Sequence, residues 1–314
     1  MFRYITRRLA ALLIVALGVT FLTFFIMHLA PGDPAEMVAL ARYGQENLNR
    51  ESIELIRQEE GLDKPLYLQY GRWLQHIIRG EWGNSLSTGE PVLKEIMVRF
   101  PATLQLTLAA LVISLLISLP LGILAAVKHN TLADYFAMTL ALLGVSIPAF
   151  WLGLLFMLLF SLILGWFPVY GYGTLRHLVL PALTLGCGMA AITTRLTRSS
   201  MLEVMEQEYV ISARARGIKE RDILTGHALK NAFIPVVTML GIQAGHLLEG
   251  AVVIETVFAW PGLGKLLVDS IFARDFALIQ GCVLFFAALV VMVNLLVDIS
   301  YMYLDPRIRF EKEV

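Results

Sequence analysis

Long apolar stretches separated by short polar ones run along most of this chain. Six of them, at about 9–30, 102–127, 135–164, 178–196, 233–258 and 278–304, carry few charges. Each is long enough to cross a hydrocarbon core of about 30 Å, which takes about 20 residues of helix. The third is long enough to require tilt, and Gly144-Val145-Ser146-Ile147-Pro148 can kink it. Pro120 and Pro181 interrupt two others, which a bundle tolerates where neighbours satisfy the freed carbonyls. Arg3, Arg7 and Arg8 ahead of the first stretch imitate a signal peptide. That stretch is too long for a signal core, however, and Ala30-Pro31-Gly32-Asp33 offers no small-x-small cleavage site, so a retained first helix is expected.

The polar connections set the orientation. With the N-terminus inside, fourteen Lys and Arg fall on the short cytoplasmic pieces and three (Arg176, Lys265, Arg274) on the short external ones. Basic residues favour the cytoplasmic side, so the pattern predicts an all-α membrane protein of about six transmembrane helices with N- and C-termini cytoplasmic. Trp166 and Trp260 then fall at outer helix ends, where an aromatic belt places them. The organisation expected is a first helix with a long extracytoplasmic segment over 1–100, then a five-helix core over 101–314. Within the external segment Leu66, Tyr70, Trp73, Leu74, Ile77 and Ile78 share one helical face, which suits either an interfacial helix or an element packed on the bundle.

Residues 199–231 form the only cytoplasmic connection of any size. Ser199 or Ser200 can cap a helix over 201–216, and Gly217 is a natural left-handed stop. Lys219-Glu220-Arg221-Asp222 begins a second helix toward Asn231, with Pro235 leading into the fifth span. Ala213 and Gly217, four apart, leave a small, bare surface for another protein. From its residues alone this hairpin is either a docking element or a solvated hairpin without a partner.

Composition agrees with the bilayer class. Of 314 residues 57% are hydrophobic and 16% charged, with a mean hydropathy of +0.70, where soluble domains carry about 25% charge. The net charge of zero argues against a nucleic-acid partner. Cys187 and Cys282 lie inside apolar runs without metal-ligand spacing and read as small hydrophobes.

Polar groups inside spans are costly and are functional candidates for that reason. In the fifth span Gln243, His246 and Glu249 recur every three residues, as pathway-lining groups or, alternatively, as interhelical hydrogen-bond partners (Gln243, His246) and a partner-facing acid (Glu249). Glu255 lies near that helix's outer end and Asp298 in the sixth span, the latter reading better as a structural contact. His177, at the outer mouth of the fourth span, suits a capping role. Gly262-Leu263-Gly264-Lys265-Leu266 imitates a phosphate loop, but Ala259 and Leu266 stand where that loop needs Gly and Ser or Thr. No metal site, catalytic residue or bound cofactor is expected in this chain.

The hairpin also carries a resemblance. Glu208-Tyr209-Val210-x-x-Ala213-Arg214-Ala215-x-Gly217, then His227-Ala228-Leu229-x-Asn231-Ala232-x-Ile234-Pro235, resembles the coupling loop of binding-protein-dependent ABC importer permeases. The general family signature begins Glu-Ala-Ala where this chain reads Ile211-Ser212-Ala213. That variant is associated with the peptide/nickel branch, and it removes the salt bridge of the usual glutamate. Ala30-Pro31-Gly32-Asp33-Pro34, Phe100-Pro101-Ala102-Thr103-Leu104, Phe258-Ala259-Trp260-Pro261-Gly262-Leu263-Gly264 and Leu304-Asp305-Pro306-Arg307 are similar to the same branch. The match is to the first of the two permeases in dipeptide, oligopeptide, glutathione and nickel importers.

The resemblance implies the type I ABC importer transmembrane fold in a bacterial or archaeal inner membrane. It implies a second homologous permease, two ATP-binding subunits carrying ATP and Mg, and an extracytoplasmic solute-binding protein that delivers peptides or metal chelates. An ion-coupled secondary carrier is the alternative. Such carriers often show inverted repeats, and this sequence shows no convincing one.

Overall fold

The structure, a computed structural model, describes residues 2–29, 32–44 and 49–304. Within these ranges it describes no side chain for 2–12, 26, 27, 37, 41, 227, 244, 246, 248–250 or 298–304. The readings of the His227, His246, Glu249 and Asp298 side chains, and of the terminal basic residues, lie outside the described residues.

Helices carry the architecture. α1 (Phe2–Leu29) is followed by three shorter helices: α2 (Pro34–Tyr43), α3 (Arg50–Glu59) and α4 (Leu66–Ile78). Next come α5 (Val92–Val127), α6 (Leu132–Ser146) and α7 (Ala149–Phe156), the last running into a π-helical turn over Met157–Ile163. α8 (Leu175–Met205), α9 (Glu208–Ala215) and α10 (Glu220–Ile223) precede a second π-helical turn at Leu224–Ala228. α11 (Leu229–Val257), α12 (Leu263–Phe272) and α13 (Phe276–Leu304) complete the described elements.

Among the described residues three helices are each long and apolar enough to cross a membrane, in the ranges Val92–Val127, Leu175–Met205 and Phe276–Val297, and two bent pairs bring the number to as many as five. α1 adds the apolar stretch Leu13–Phe25. The kink expected at Pro148 is a full break. α6 and the helix after it meet at 107°, because Ile147 turns extended and Pro148 has no N–H to continue the ladder. Pro235, expected before the fifth span, lies inside α11 instead.

The chain divides into two compact units. The first comprises residues 1–101 and 265–291. In it Asp33 caps α2, with Pro34 at the first helical position, and Asn49 and Ser52 form a reciprocal capping box on α3. Ala35, Ala39 and Ile56 bury the seam between these helices. α4 packs on α1: the Phe24 ring meets Tyr70 edge-on at 5.4 Å and Trp73 tilted at 5.6 Å, and Thr20 Oγ1 lies 2.9 Å from Tyr70 Oη. The packed-element reading of this face is therefore the one observed for Tyr70 and Trp73.

The second unit comprises 102–264 and 292–314, with α8 against α6, α7 and α11. Small residues bring these backbones together, as apolar bundles require when lipid supplies no hydrophobic drive. Gly186 meets Ala110 and Ile113 of α5, Gly144 meets Ala191, and Gly122 meets Thr194 and Thr197. The core collects Leu106, Leu180, Ala182, Leu247, Ile254, Phe258 and Trp260. Trp260 is 1% exposed and its indole N–H donates to the Ala102 carbonyl at 2.8 Å. The belt position expected for it is corrected to a core position, whereas Trp166 is exposed.

Candidate functional site

The hairpin between α8 and α11 holds most of the residues singled out by sequence. α8 does not end where Ser199 and Ser200 could cap a new helix. Ser199 Oγ instead bonds back to the Leu196 carbonyl, and the helix continues through Met205. The chain breaks at Glu206-Gln207, where Gln207 turns extended with ψ 145° and opens α9. Gly217 ends the hairpin's first arm at φ 77°, the left-handed conformation that lacks a penalty only in glycine. Its N–H reaches Arg214 O at 2.9 Å, and the Ile218 N–H reaches Ala213 O at 3.3 Å.

Val210, Ala213 and Ile223 bury one another, with Ile218 alongside. The bare surface expected at Ala213 is thus the hairpin's own core, since Ala213 is 2% exposed. The side left open carries Ile211, Ser212, Ala215 and Arg216, with Ile211 56% exposed. Two pairs lock the fold. Arg214 meets Glu220 through Nε (3.1 Å) and Nη2 (2.7 Å), and Asn231 Nδ2 donates to Tyr209 Oη at 2.8 Å. Glu208 opens α9 in its first turn, where a carboxylate favours the helix dipole. Pro235 sits inside α11 beyond the hairpin. The arrangement is a mostly polar knuckle whose open side exposes Tyr209, Ile211 and Ala215.

Among the polar groups in spans, Gln243 is 6% exposed and meets Thr193 Oγ1 of α8 at 3.1 Å through its amide end. Thr193 also donates to the Met189 carbonyl, and one hydroxyl carries one proton. The hydroxyl is therefore shared between that carbonyl and Gln243 Oε1, and the buried Gln243 Nε2 meets no partner among the described residues. Of the two readings open for Gln243, interhelical hydrogen bonding is the one this geometry supports.

Three constellations escaped the sequence reading. Glu255, fully buried, accepts from Thr103 Oγ1 at 2.6 Å and from the Gly264 N–H at 2.7 Å. It caps the first turn of α12 from the preceding helix, so the stretch that imitated a phosphate loop is a backbone wrapped around a carboxylate. Asp275, also fully buried, accepts from Ser85 Oγ (2.6 Å), Ser87 Oγ (2.8 Å) and the Ser87 and Leu278 N–H groups. Burial opposes its ionisation, but these donors outweigh it and hold the carboxyl below the usual range. Asp134 of α6, 2% exposed, binds Arg198 of α8 in a bidentate pair at 2.6 and 2.8 Å. Their signal was present as isolated acids near helix ends, but their partners lie 64 to 190 residues away, beyond any local pattern. Among the described residues no group of three or more His, Cys, Asp or Glu could hold a metal ion. His177 Nδ1 meets Thr174 Oγ1 at 2.8 Å at the start of α8, a contact between side chains that caps no backbone N–H.

An apolar helical bundle with a folded polar hairpin between two of its longest helices defines a polytopic membrane component. Residues 118–310 match the family described as binding-protein-dependent transport system inner membrane component, and residues 1–107 match its N-terminal region family. The chain belongs to this family, and it is the permease subunit of an ABC importer, a transport subunit.

Among curated relatives it is 44% identical over 311 residues to the glutathione transport system permease protein GsiC of Salmonella paratyphi A, covering 99% of this chain and 100% of that one. It is 42% identical to the GsiC of Escherichia coli K12 over the same coverage. A solved structure of the MetNI methionine ABC transporter in inward-facing conformations matches with a TM-score of 0.58 at 20% identity, covering 69% of this chain and 99% of that one. An amino acid ABC transporter structure matches at 0.54 and 13% identity, covering 67% and 94%. At these identities the two structures speak for the fold, which is that of ABC-importer membrane subunits.

Proposed function

We propose that this chain forms half of the pathway through which glutathione or a short peptide enters the cell. The observation that carries the substrate class is end-to-end relationship at 44% identity to a permease named for glutathione transport. A second, homologous permease completes the pathway. Two ATP-binding subunits, holding ATP and Mg, dock beneath, and an extracytoplasmic solute-binding protein delivers the substrate. The setting is a bacterial inner membrane, with both termini and the hairpin cytoplasmic.

In this reading the hairpin is the mechanical contact. Glu208, Tyr209, Ala213, Arg214, Ala215, Gly217, His227 and Asn231 belong to it, and Pro235 follows in α11. Tyr209–Asn231 and Arg214–Glu220 hold it rigid, so that force on α9 is not lost in bending. Closure of the ATPase dimer moves the hairpin and opens the pathway outward, and ATP hydrolysis resets it. His246 and Glu249 remain the pathway-lining groups of α11. The test is uptake of labelled glutathione by vesicles containing the complete importer, with unlabelled dipeptides and a nickel chelate as competitors. Glutathione uptake, competed by small peptides, is the expected result. Uptake competed only by the nickel chelate would overturn the substrate class.

A further inference from the structure

Movement of the hairpin must reach the pathway through some fixed connection. α8 runs 31 residues without interruption, about 46 Å at 1.5 Å per residue, and so extends well past a hydrocarbon core of about 30 Å. Only Glu206 and Gln207 separate it from α9, and Arg214 Nη1 reaches back to the Met205 carbonyl at 3.4 Å. The hairpin is thus joined closely to the end of α8. Along α8 the contacts with α5 and α6 at Gly186, Gly144 and Gly122 are van der Waals surfaces, which can slide.

The contact at Arg198 differs. It lies seven residues before Met205, about 10 Å along the helix, and its guanidinium grips the Asp134 carboxylate with two parallel bonds. Such forked pairing fixes orientation as well as distance. Asp134 in turn accepts the Asn130 N–H at 3.0 Å, where Asn130 holds φ 60° in the turn between α5 and α6. His129 Nδ1 stands 3.0 Å from Arg198 Nη2 and 3.3 Å from Asp134 Oδ2. One carboxylate thus ties α8 to both the turn and the first turn of α6. α6 leads directly into the 107° break before α7.

We propose that Asp134 and Arg198 are positioning residues that make bent α6–α7 follow α8, converting hairpin displacement into rearrangement of the pathway wall. This rests on the permease reading and adds the link between its two ends. Neither residue touches substrate or ATPase in this scheme, so breaking the pair should uncouple the importer rather than silence it.

The experiment uses the complete importer in proteoliposomes and reads glutathione uptake, binding-protein-stimulated ATP hydrolysis and the inserted amount of this chain. In Arg198→Gln, uptake per ATP hydrolysed should fall about tenfold, within the ordinary range of coupling between two sites, while stimulated hydrolysis persists. Arg198→Lys, which keeps one charged donor, should fall between. The exchange Asp134→Arg with Arg198→Asp should recover most of the ratio lost in either single variant. An unchanged ratio in Arg198→Gln overturns the proposal, as does failure of both the Lys variant and the exchanged pair to insert, which would make the pair an assembly element. A parental complex without ATP-dependent uptake would instead overturn the permease reading itself.

Discussion

Glu255 shows how one side chain dictates the residues around it. Its carboxylate sits under the turn that joins α11 to α12, and the Thr103 hydroxyl donates to it while accepting the Leu263 N–H at 2.8 Å. The backbone can drape this closely only without side chains: a Cβ on Gly262 would overlap the carboxylate, and one on Gly264 would meet the Val252 backbone. Gly264→Ala should therefore destabilise the protein by about 1–3 kcal/mol, the usual cost of overpacking, read as a lowered thermal midpoint in detergent. Gly188→Ala has nothing within 4 Å of its new methyl and should be neutral or slightly stabilising, since alanine favours a helix interior by about 1 kcal/mol over glycine. Equal effects from the two would remove the steric argument.

Asp275 gives a pH dependence with a definite sign. Its folded carboxyl is held below its ordinary value, so its contribution is complete above the unfolded carboxylate pKa of about 3.9 and is lost as pH falls through the lower folded value. Below that range the 83–89 loop should loosen, and a cysteine at Thr88 should react faster with a thiol reagent. Asp275→Asn should react fast already at neutral pH and lose the acid dependence. A parental loop whose labelling ignores acid would show that the carboxylate does not hold it.

At the scale of elements, sequence located the long helices and Gly217 and misplaced the joints between them. The apolar period finds a span because lipid and core demand the same residues over 20 or more positions. The same degeneracy hides where a helix continues into water, as α8 does past Ser199 and Ser200. It also made Trp260 look like a belt residue, because an interface and a buried corner both favour an indole with one satisfied N–H. Gly217 was legible because a left-handed stop has few chemical solutions. Gly217→Val should cost about 1–2 kcal/mol locally, the penalty of placing a Cβ in that conformation, and Gly217→Asn distinctly less. Under the proposed coupling role of the hairpin, Gly217→Val should depress uptake and stimulated ATP hydrolysis together at normal membrane abundance. That pattern differs from the uncoupling expected at Arg198. Parental uptake by a fully inserted Gly217→Val protein would take the coupling role away from this hairpin.

The whole molecule combines an apolar bundle, legible from hydropathy, with polar ties that are not. Asp134–Arg198, Glu255–Thr103 and Asp275–Ser85 each join positions far apart in sequence. A carboxylate near a helix end carries no mark of whether its partner is water or a distant hydroxyl. Orientation rests on the distribution of Lys and Arg. Cysteines at Thr88 and Lys219, both exposed, should react from opposite faces of the membrane, and labelling from one face would refute the six-helix arrangement.

The role of the chain as the ATP-driven pathway is tested most directly by glutathione uptake into proteoliposomes holding this chain, its partner permease and the ATP-binding subunits. Uptake should require ATP, the solute-binding protein and this chain, and should survive a protonophore. Uptake that persists without the ATP-binding subunits and collapses with the protonophore would contradict it.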